Sequence, residues 1–291
     1  MDNKIGVEIC TRNRPGYLAM LLSSLYTQTY KNFDIVLVDD NSNKPITNEK
    51  IVMDWVEKLK SSGHDIIIIY NPVRFFVGRS RNIATKHNKN ELCCRIDDDS
   101  WCEPDYLEKL LNVYLKYKNE ARPCGAVGGL VPYLARHPYY RNGDKLQEYF
   151  EEIYATKDGN FAAHPKVYDS SPTDRGHFHW EPNKILKSHH LRSSFLFTKE
   201  AAKAAGYHAE EYGPTGFREE TDFCIRILAA GYDLYVDTSA ICWHLLAAGA
   251  GERDLAGKAY NDHVADNQKH FNNKMKPYLQ KLIKDGVIFN G

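Results

Sequence analysis

Short apolar runs alternate with stretches of helical periodicity through the first 130 or so residues. Residues 5–10 read as a strand and meet the polar sequence Thr11-Arg12-Asn13-Arg14-Pro15. Leu18, Leu21, Leu22 and Leu25 then recur at helical spacing. Pro15 is placed to open that helix, because its fixed φ and missing N–H are harmless in a first turn. Residues 35–38 form a brief apolar run ending in Asp39-Asp40-Asn41-Ser42, whose short polar side chains bond nearby backbone and favour turns. A helical stretch over 51–59 leads to the aliphatic run 66–69. Gly78-Arg79-Ser80-Arg81-Asn82 opens another helix, and residues 92–96 run into Asp97-Asp98-Asp99. Glu103-Pro104-Asp105 stands where it would cap a helix marked by Leu107, Leu110, Leu111, Tyr114 and Leu115. Residues 125–131 close this part as a further strand.

Four strand-then-helix repeats predict an α/β fold with a mostly parallel, Rossmann-like sheet flanked by helices. Such sheets carry their sites at the carboxyl ends of the strands. Residues 11–14, Asp39-Asp40 and Asp97-Asp98-Asp99 each follow a strand and would meet along one rim. Any one cluster reads equally as a loop; three on one edge point to a site.

The second half differs. Over 132–190 the pattern is irregular and rich in Tyr, His, Pro and Gly, with only 146–153 suggesting a helix. Residues 191–197 resemble a strand and 199–205 a short helix. Residues 217–230 are amphipathic, with Phe223, Cys224, Ile227 and Leu228 on one face and Gly231 at the end. Tyr232, Leu234 and Val236 alternate as a strand, followed by Ile241-Cys242-Trp243-His244. The pattern divides the chain into an α/β half (1–131), a second half of the same domain (132–248) and a polar, Lys- and Asn-rich helical tail (249–291). Lys269, Lys274, Lys276, Lys281 and Lys284 make that tail a solvated face or a peripheral membrane contact.

A chain of 291 residues buries about three-quarters of its unfolded surface, so its core requires no disulfide or metal staple. Thirty-eight basic and thirty-eight acidic residues cancel. That balance argues against a protein that coats nucleic acid or anionic membrane, both of which demand a positive field. The seven cysteines are odd in number and lack C-x-x-C spacing, which favours buried reduced thiols over a zinc site or disulfide framework. The N-terminus has no apolar signal region, and the longest aliphatic run, 66–69, is far short of the roughly 20 residues of a membrane helix. A cytoplasmic location is the expectation.

Asp97-Asp98-Asp99 is the sharpest chemical feature. Adjacent carboxylates repel by on the order of 1 kcal/mol per pair even in water-like surroundings, and more when partly buried. A hard divalent cation, Mn²⁺ or Mg²⁺, relieves that repulsion and completes its shell with substrate phosphates; the plain alternative is an acidic turn before a helix. In Arg218-Glu219-Glu220-Thr221-Asp222-Phe223, carboxylates at a helix start are kept ionised by the macrodipole, as a general base requires. Acids at helix starts are also common for structural reasons alone. His244 is either a ligand or a packed side chain, and Gly78 with its arginines either cradles phosphate or caps.

Residues 9–15, 36–42, Asp97-Asp98-Asp99, Glu219-Glu220-Thr221-Asp222 and His244, in that order and spacing, resemble family 2 glycosyltransferases of the GT-A fold from about residue 5 to 246. The resemblance implies a nucleotide-sugar-binding sheet over 1–131 merged with an acceptor-binding and catalytic half. Thr11, Arg14 and Asp40 would line the base and ribose pocket, with Asp40 reading the nucleobase, and Arg81 would approach the nucleotide. Asp99 and His244 would hold the metal, while Asp97 or Asp98 would contact ribose or metal-bound water. Glu220 aligns with the catalytic base and Glu219 with its acceptor-binding neighbour. This chain has Glu-Glu where the family has Glu-Asp, which leaves the base open among Glu219, Glu220 and Asp222.

The implied reaction is inverting transfer from a nucleoside-diphosphate sugar, a UDP-sugar foremost, to a hydroxyl of a glycan, lipid-linked or protein acceptor. The 132–190 aromatics Tyr133, Tyr139, Tyr140, Phe178 and Trp180 would shape the acceptor pocket or pack in the core. A scaffold or sensor that binds sugar nucleotides without transfer would lack the base or the metal residues. A nucleotidyltransferase would carry a glycine-rich loop after the first strand, whereas residues 11–15 contain no glycine.

Overall fold

The computed structural model describes residues 3–132, 153–155, 161–163, 183–251 and 257–288. Strands β1 (Ile5–Thr11) and β2 (Phe33–Asp39) bury nearly every residue, as strands covered by helices on both faces must. Helix α1 (Pro15–Tyr26) begins at Pro15 and buries Leu18, Leu21, Leu22 and Leu25, and α2 (Lys50–Ser61) packs beside it. Next come β3 (Ile66–Tyr70), α3 (Phe76–His87) and β4 (Leu92–Asp97). These strands are parallel in the order β3-β2-β1-β4, so α3 carries the chain past β1 to its other side. The crevice beyond the carboxyl ends of β1 and β4 is therefore a topological switch point. Register places Thr11 opposite Asp39 and Cys10 opposite Asp97, bringing all three polar clusters to one edge.

After β5 (Ser100–Cys102) and α4 (Tyr106–Tyr117), β6 (Cys124–Leu130) joins the sheet through β10 (Phe195–Thr198), which is antiparallel to both β4 and β6. Helices α5 (Lys199–Ala204) and α6 (Glu219–Ala229) precede β11 (Asp233–His244), a single strand that joins the two runs read separately in the sequence. β11 is parallel to β6 and antiparallel to β5 and to β9 (Ile185–Ser188). The parallel first half and the mixed second half thus share one nine-stranded sheet, with β7 (Ile153–Ala155) and β8 (Phe161–Ala163) as a separate pair.

Several local expectations change. The strand expected at 191–197 begins at Phe195, because Ser193 has φ 38° and Leu191 N–H bonds the Cys224 sulfur instead of a ladder. Asp105 does not cap α4 through its side chain: it pairs with Lys109 at 2.7 Å, while Glu103 accepts from Trp243 Nε1 at 2.8 Å. Gly78 lies inside the first turn of α3, where a Cβ would stand 2.0 Å from the Ala209 carbonyl oxygen. Its smallness serves close backbone approach. The tail is no solvated appendage: α7 (Gly257–Lys284) buries Asn267, Phe271, Met275, Leu279 and Leu282, largely against α6. The helix expected at 146–153 lies outside the described residues except for Ile153, which starts β7. Tyr133, Tyr139, Tyr140, Phe178 and Trp180 also lie outside them.

Candidate active site

The carboxyl ends of β1 and β4, the start of α6 and the end of β11 enclose a cleft of about 360 Å³. Its walls include Thr11, Arg14, Asp40, Arg81, the three consecutive aspartates, Glu219, Glu220 and His244. Ten of the eleven site residues expected from sequence are therefore brought together. Asp222 is the exception. It is fully buried, accepts from Tyr212 Oη at 2.9 Å and pairs with Arg226 and Lys274, so it clamps α6 to its neighbours instead of facing the cleft.

Asp39 and Asp40 divide two tasks. Asp39 builds the turn after β2, accepting from Ser42 N at 2.9 Å and Ile46 N at 3.0 Å. Asp40 lines the cleft while accepting from Asn71 Nδ2 and Phe75 N at 2.8 Å and Phe76 N at 2.9 Å. Its charge thereby satisfies orphan donors at the start of α3.

The aspartate triad splits in the same manner. Asp98 turns inward, accepting from Thr11 Oγ1 at 2.7 Å and Arg14 Nη1 at 2.9 Å. Burial pushes its pKa up to about 6 against the pull of Arg14. Arg14 also donates to the carbonyls of Gly249 and Ala250, at 3.0 and 2.8 Å, drawing the segment after β11 across the cleft. Thr11 and Arg14 thus spend polar groups on positioning the wall they form.

Asp97 is the most exposed of the three aspartates, while Asp99 is buried and accepts from Ala247 N at 3.0 Å. Pairing of His244 with Ser100 across β5 and β11 brings its Nε2 to 3.0 Å from Asp99 Oδ1. One donor atom from each of Asp97, Asp99 and His244 lies within 4.8 Å of the others, the spread a single cation can span. Two carboxylates with one imidazole suit a borderline ion such as Mn²⁺ better than strictly oxygen-loving Mg²⁺. The set fits a divalent cation, and Asp97 joins the Asp99 and His244 expected from sequence.

Glu219 and Glu220, adjacent in sequence, occupy opposite environments. Glu219 is buried: both its oxygens lie 3.1 Å from Arg95 Nη1, His208 Nδ1 is 2.7 Å away and Arg81 Nε 3.7 Å. Burial alone would raise its pKa, but Arg95, His208 and Arg81 together draw it well below the usual carboxylate range. Arg81 continues to Asp97 at 2.6 Å, so one buried guanidinium joins Glu219 to the cation-binding cluster. Burial disfavours that charge, yet Asp97 and Glu219 hold its pKa above its ordinary value. Glu220 keeps 31% of its side chain exposed in the cleft, with Oε2 3.3 Å from Ser193 N and 3.6 Å from Arg95 Nη2. Arg218, just before the pair, holds a left-handed φ of 77° although it is not glycine, a strain characteristic of functional turns.

Sequence reasoning missed Arg95 and His208. Arg95 left a signal, a lone charge in the apolar strand before the triad; His208 left none. His190 also lines the cleft.

Residues 7–179 match the model of glycosyl transferase family 2. GlyA, a glycosyltransferase of Streptococcus pneumoniae, is 27% identical over 154 residues, covering 53% of this chain and 20% of the relative. The glucosyl-dolichyl phosphate glucuronosyltransferase of Haloferax volcanii is 25% identical over 140 residues, covering 47% and 42% respectively. The chain thus spans less than half the length of either relative. The crystal structure of S. aureus TarS 1–349 in complex with UDP-GlcNAc superposes with a TM-score of 0.58 at 16% identity, over 97% of this chain and 73% of that one. No helix among the described residues is long and apolar enough to cross a membrane.

Proposed function

The chain belongs to glycosyl transferase family 2 and has the GT-A fold, and from that premise we propose that it is an inverting glycosyltransferase acting on a nucleoside-diphosphate sugar. The observation that carries the reading is one cleft holding both a cation-ready cluster and an exposed carboxylate on a rigid helix start. A UDP-sugar is the first candidate donor, in keeping with the nucleotide bound by TarS. The donor would lie against the 1–131 wall and the acceptor hydroxyl against the 132–248 wall. A lipid-linked phosphate acceptor has the support of the Haloferax relative's name. The odd cysteine count favours the cytoplasm.

Asp97, Asp99 and His244 would hold Mn²⁺ or Mg²⁺, which when bound supplies Lewis-acid neutralisation of the departing diphosphate. Glu220 removes the proton of the acceptor hydroxyl as that oxygen attacks the anomeric carbon opposite the leaving group. The new C–O bond forms as the bond to diphosphate breaks, and configuration inverts. General-base assistance of this kind is worth about 10²–10⁴ in rate. Glu219 is unsuited to the role: a buried carboxylate held by two arginines is a poor proton acceptor.

The first experiment is a thermal-shift panel of UDP, GDP, dTDP and CDP, each with Mn²⁺, Mg²⁺ or EDTA. A ligand at about 100 times its Kd adds roughly 2.7 kcal/mol of stability, a shift of degrees in Tm. A cation-dependent rise with one nucleotide supports the reading; stabilisation by none of them overturns it. Glu220→Gln should keep that shift and lose transfer, while retained full activity would move the base elsewhere. Anomer-resolved NMR of the product tests inversion.

A further inference from the structure

Arg95 stands two residues before Asp97 in β4, almost wholly buried, and nothing in the proposed transfer uses it. A guanidinium in an apolar strand is costly unless its donors are met. Here each nitrogen goes to a different target. Nε donates to the Ser193 carbonyl at 3.1 Å, Nη1 lies 3.1 Å from both Glu219 oxygens, and Nη2 stands 3.6 Å from Glu220 Oε2. The Phe195 ring, its centroid 4.9 Å from the guanidinium carbon, supports the plane of the fork.

Glu219 alone would balance the charge and requires neither of the other two contacts. Those two converge on Glu220. Ser193, whose carbonyl Arg95 holds, gives its own N–H to the same Glu220 Oε2 at 3.3 Å. It does so from a left-handed φ of 38°, a conformation that a residue other than glycine keeps only when its surroundings hold it there. Arg95 therefore reaches Oε2 twice, once through Nη2 and once through the Ser193 turn. Oε1 has no hydrogen bond among the described residues, and the side chain lines the cleft.

We propose that Arg95 is the positioning residue of the base: by anchoring Oε2 it fixes the Glu220 side chain and presents Oε1 to the acceptor hydroxyl. The hydroxyl proton goes to Oε1 as the acceptor oxygen bonds the anomeric carbon and the bond to diphosphate breaks. Since Nη1 holds Glu219, one fork sorts the two glutamates, retaining the first in the interior and aiming the second. The inference rests on Glu220 as the base.

Arg95→Lys separates aim from charge. An ammonium still balances buried Glu219, but a single nitrogen cannot also hold the Ser193 carbonyl and Glu220. Two readouts apply to the full chain. One is UDP release from UDP-GlcNAc with Mn²⁺, water taking the place of the acceptor hydroxyl. The other is carbodiimide labelling of carboxylates read by mass spectrometry, which requires no donor. In Arg95→Lys, kcat should fall about 10²-fold, as for a misplacement of about 1 Å, with KM little changed. Glu220 should label several-fold faster while Glu219 stays protected. In the Glu220→Gln background Arg95→Lys should cost nothing further, because residues acting as a unit are not additive. Ser193→Gly, which suits the turn and leaves the Arg95–Glu219 pair whole, should give a smaller fall of the same kind.

Full activity in Glu220→Gln would defeat the base assignment itself. An inactive Glu220→Gln beside a fully active Arg95→Lys, or additive losses in the double variant, would overturn the positioning role alone. Unchanged labelling of Glu220 in both Arg95→Lys and Ser193→Gly would overturn it whatever the donor.

Discussion

At the scale of single residues, neighbours in sequence take unequal roles because burial sorts them. Glu219 and Glu220 were indistinguishable as letters; Arg95, 124 positions away, separates them by capturing the first. Glu219→Gln leaves Arg95 and Arg81 buried against a neutral amide and should cost about 3–5 kcal/mol in urea denaturation. Glu220→Gln, at a side chain about a third exposed, should change stability by no more than about 0.5 kcal/mol. His208 provides a pH signature. Burial lowers its pKa to about 4, prevailing over the pull of Glu219. Between the unfolded value near 6.5 and that lower value, only the unfolded state binds the proton, so stability rises with pH. Acidification from pH 6.5 toward 4.5 should therefore lower stability by up to about 1.4 kcal/mol per pH unit, and His208→Gln should flatten the slope. A slope unchanged in the variant would assign it to other groups.

Elements were legible where periodicity is local and obscure where tertiary contact decides. The α1 leucines and the apolar runs of β1, β2 and β4 declared themselves, because a sheet covered on both faces leaves continuous hydrophobic letters. The tail hid its role: Phe271, Met275, Leu279 and Leu282 form a one-residue-wide stripe diluted by lysines and asparagines. Lys274 looked solvated yet pairs with buried Asp222. Phe271→Ala should destabilise by about 3–5 kcal/mol in urea, as for a core aromatic, whereas a solvated tail predicts almost no change. Gly78 was similarly opaque, since the Ala209 carbonyl that excludes a Cβ is 131 positions away. The site clusters were readable because three strand ends share one edge; the inward turn of Asp98 and the withdrawal of Asp222 were not, since each depends on a partner from another element.

For the whole molecule, the decisive element is β10, a four-residue strand that bonds β4 on one side and β6 on the other. Through it the half that carries the aspartates and the half that carries Glu220 become one sheet. The buried bridge from Asp97 through Arg81 to Glu219 crosses the same junction, as does the contact of Arg95 with both glutamates. Separating the halves would expose β-ladder groups and leave buried charges unpaired, so neither half can open alone at small cost. Unfolding should accordingly be a single transition. Fluorescence of the tryptophans, including Trp55 in α2 and Trp243 in β11, should follow the same urea curve as far-UV circular dichroism. Noncoincident curves would show the halves to be separable, and the base would then not be held rigidly against the cation cluster. A single curve that a nucleotide with Mn²⁺ moves as one body would instead tie donor binding on the first half to the order of the catalytic carboxylate on the second.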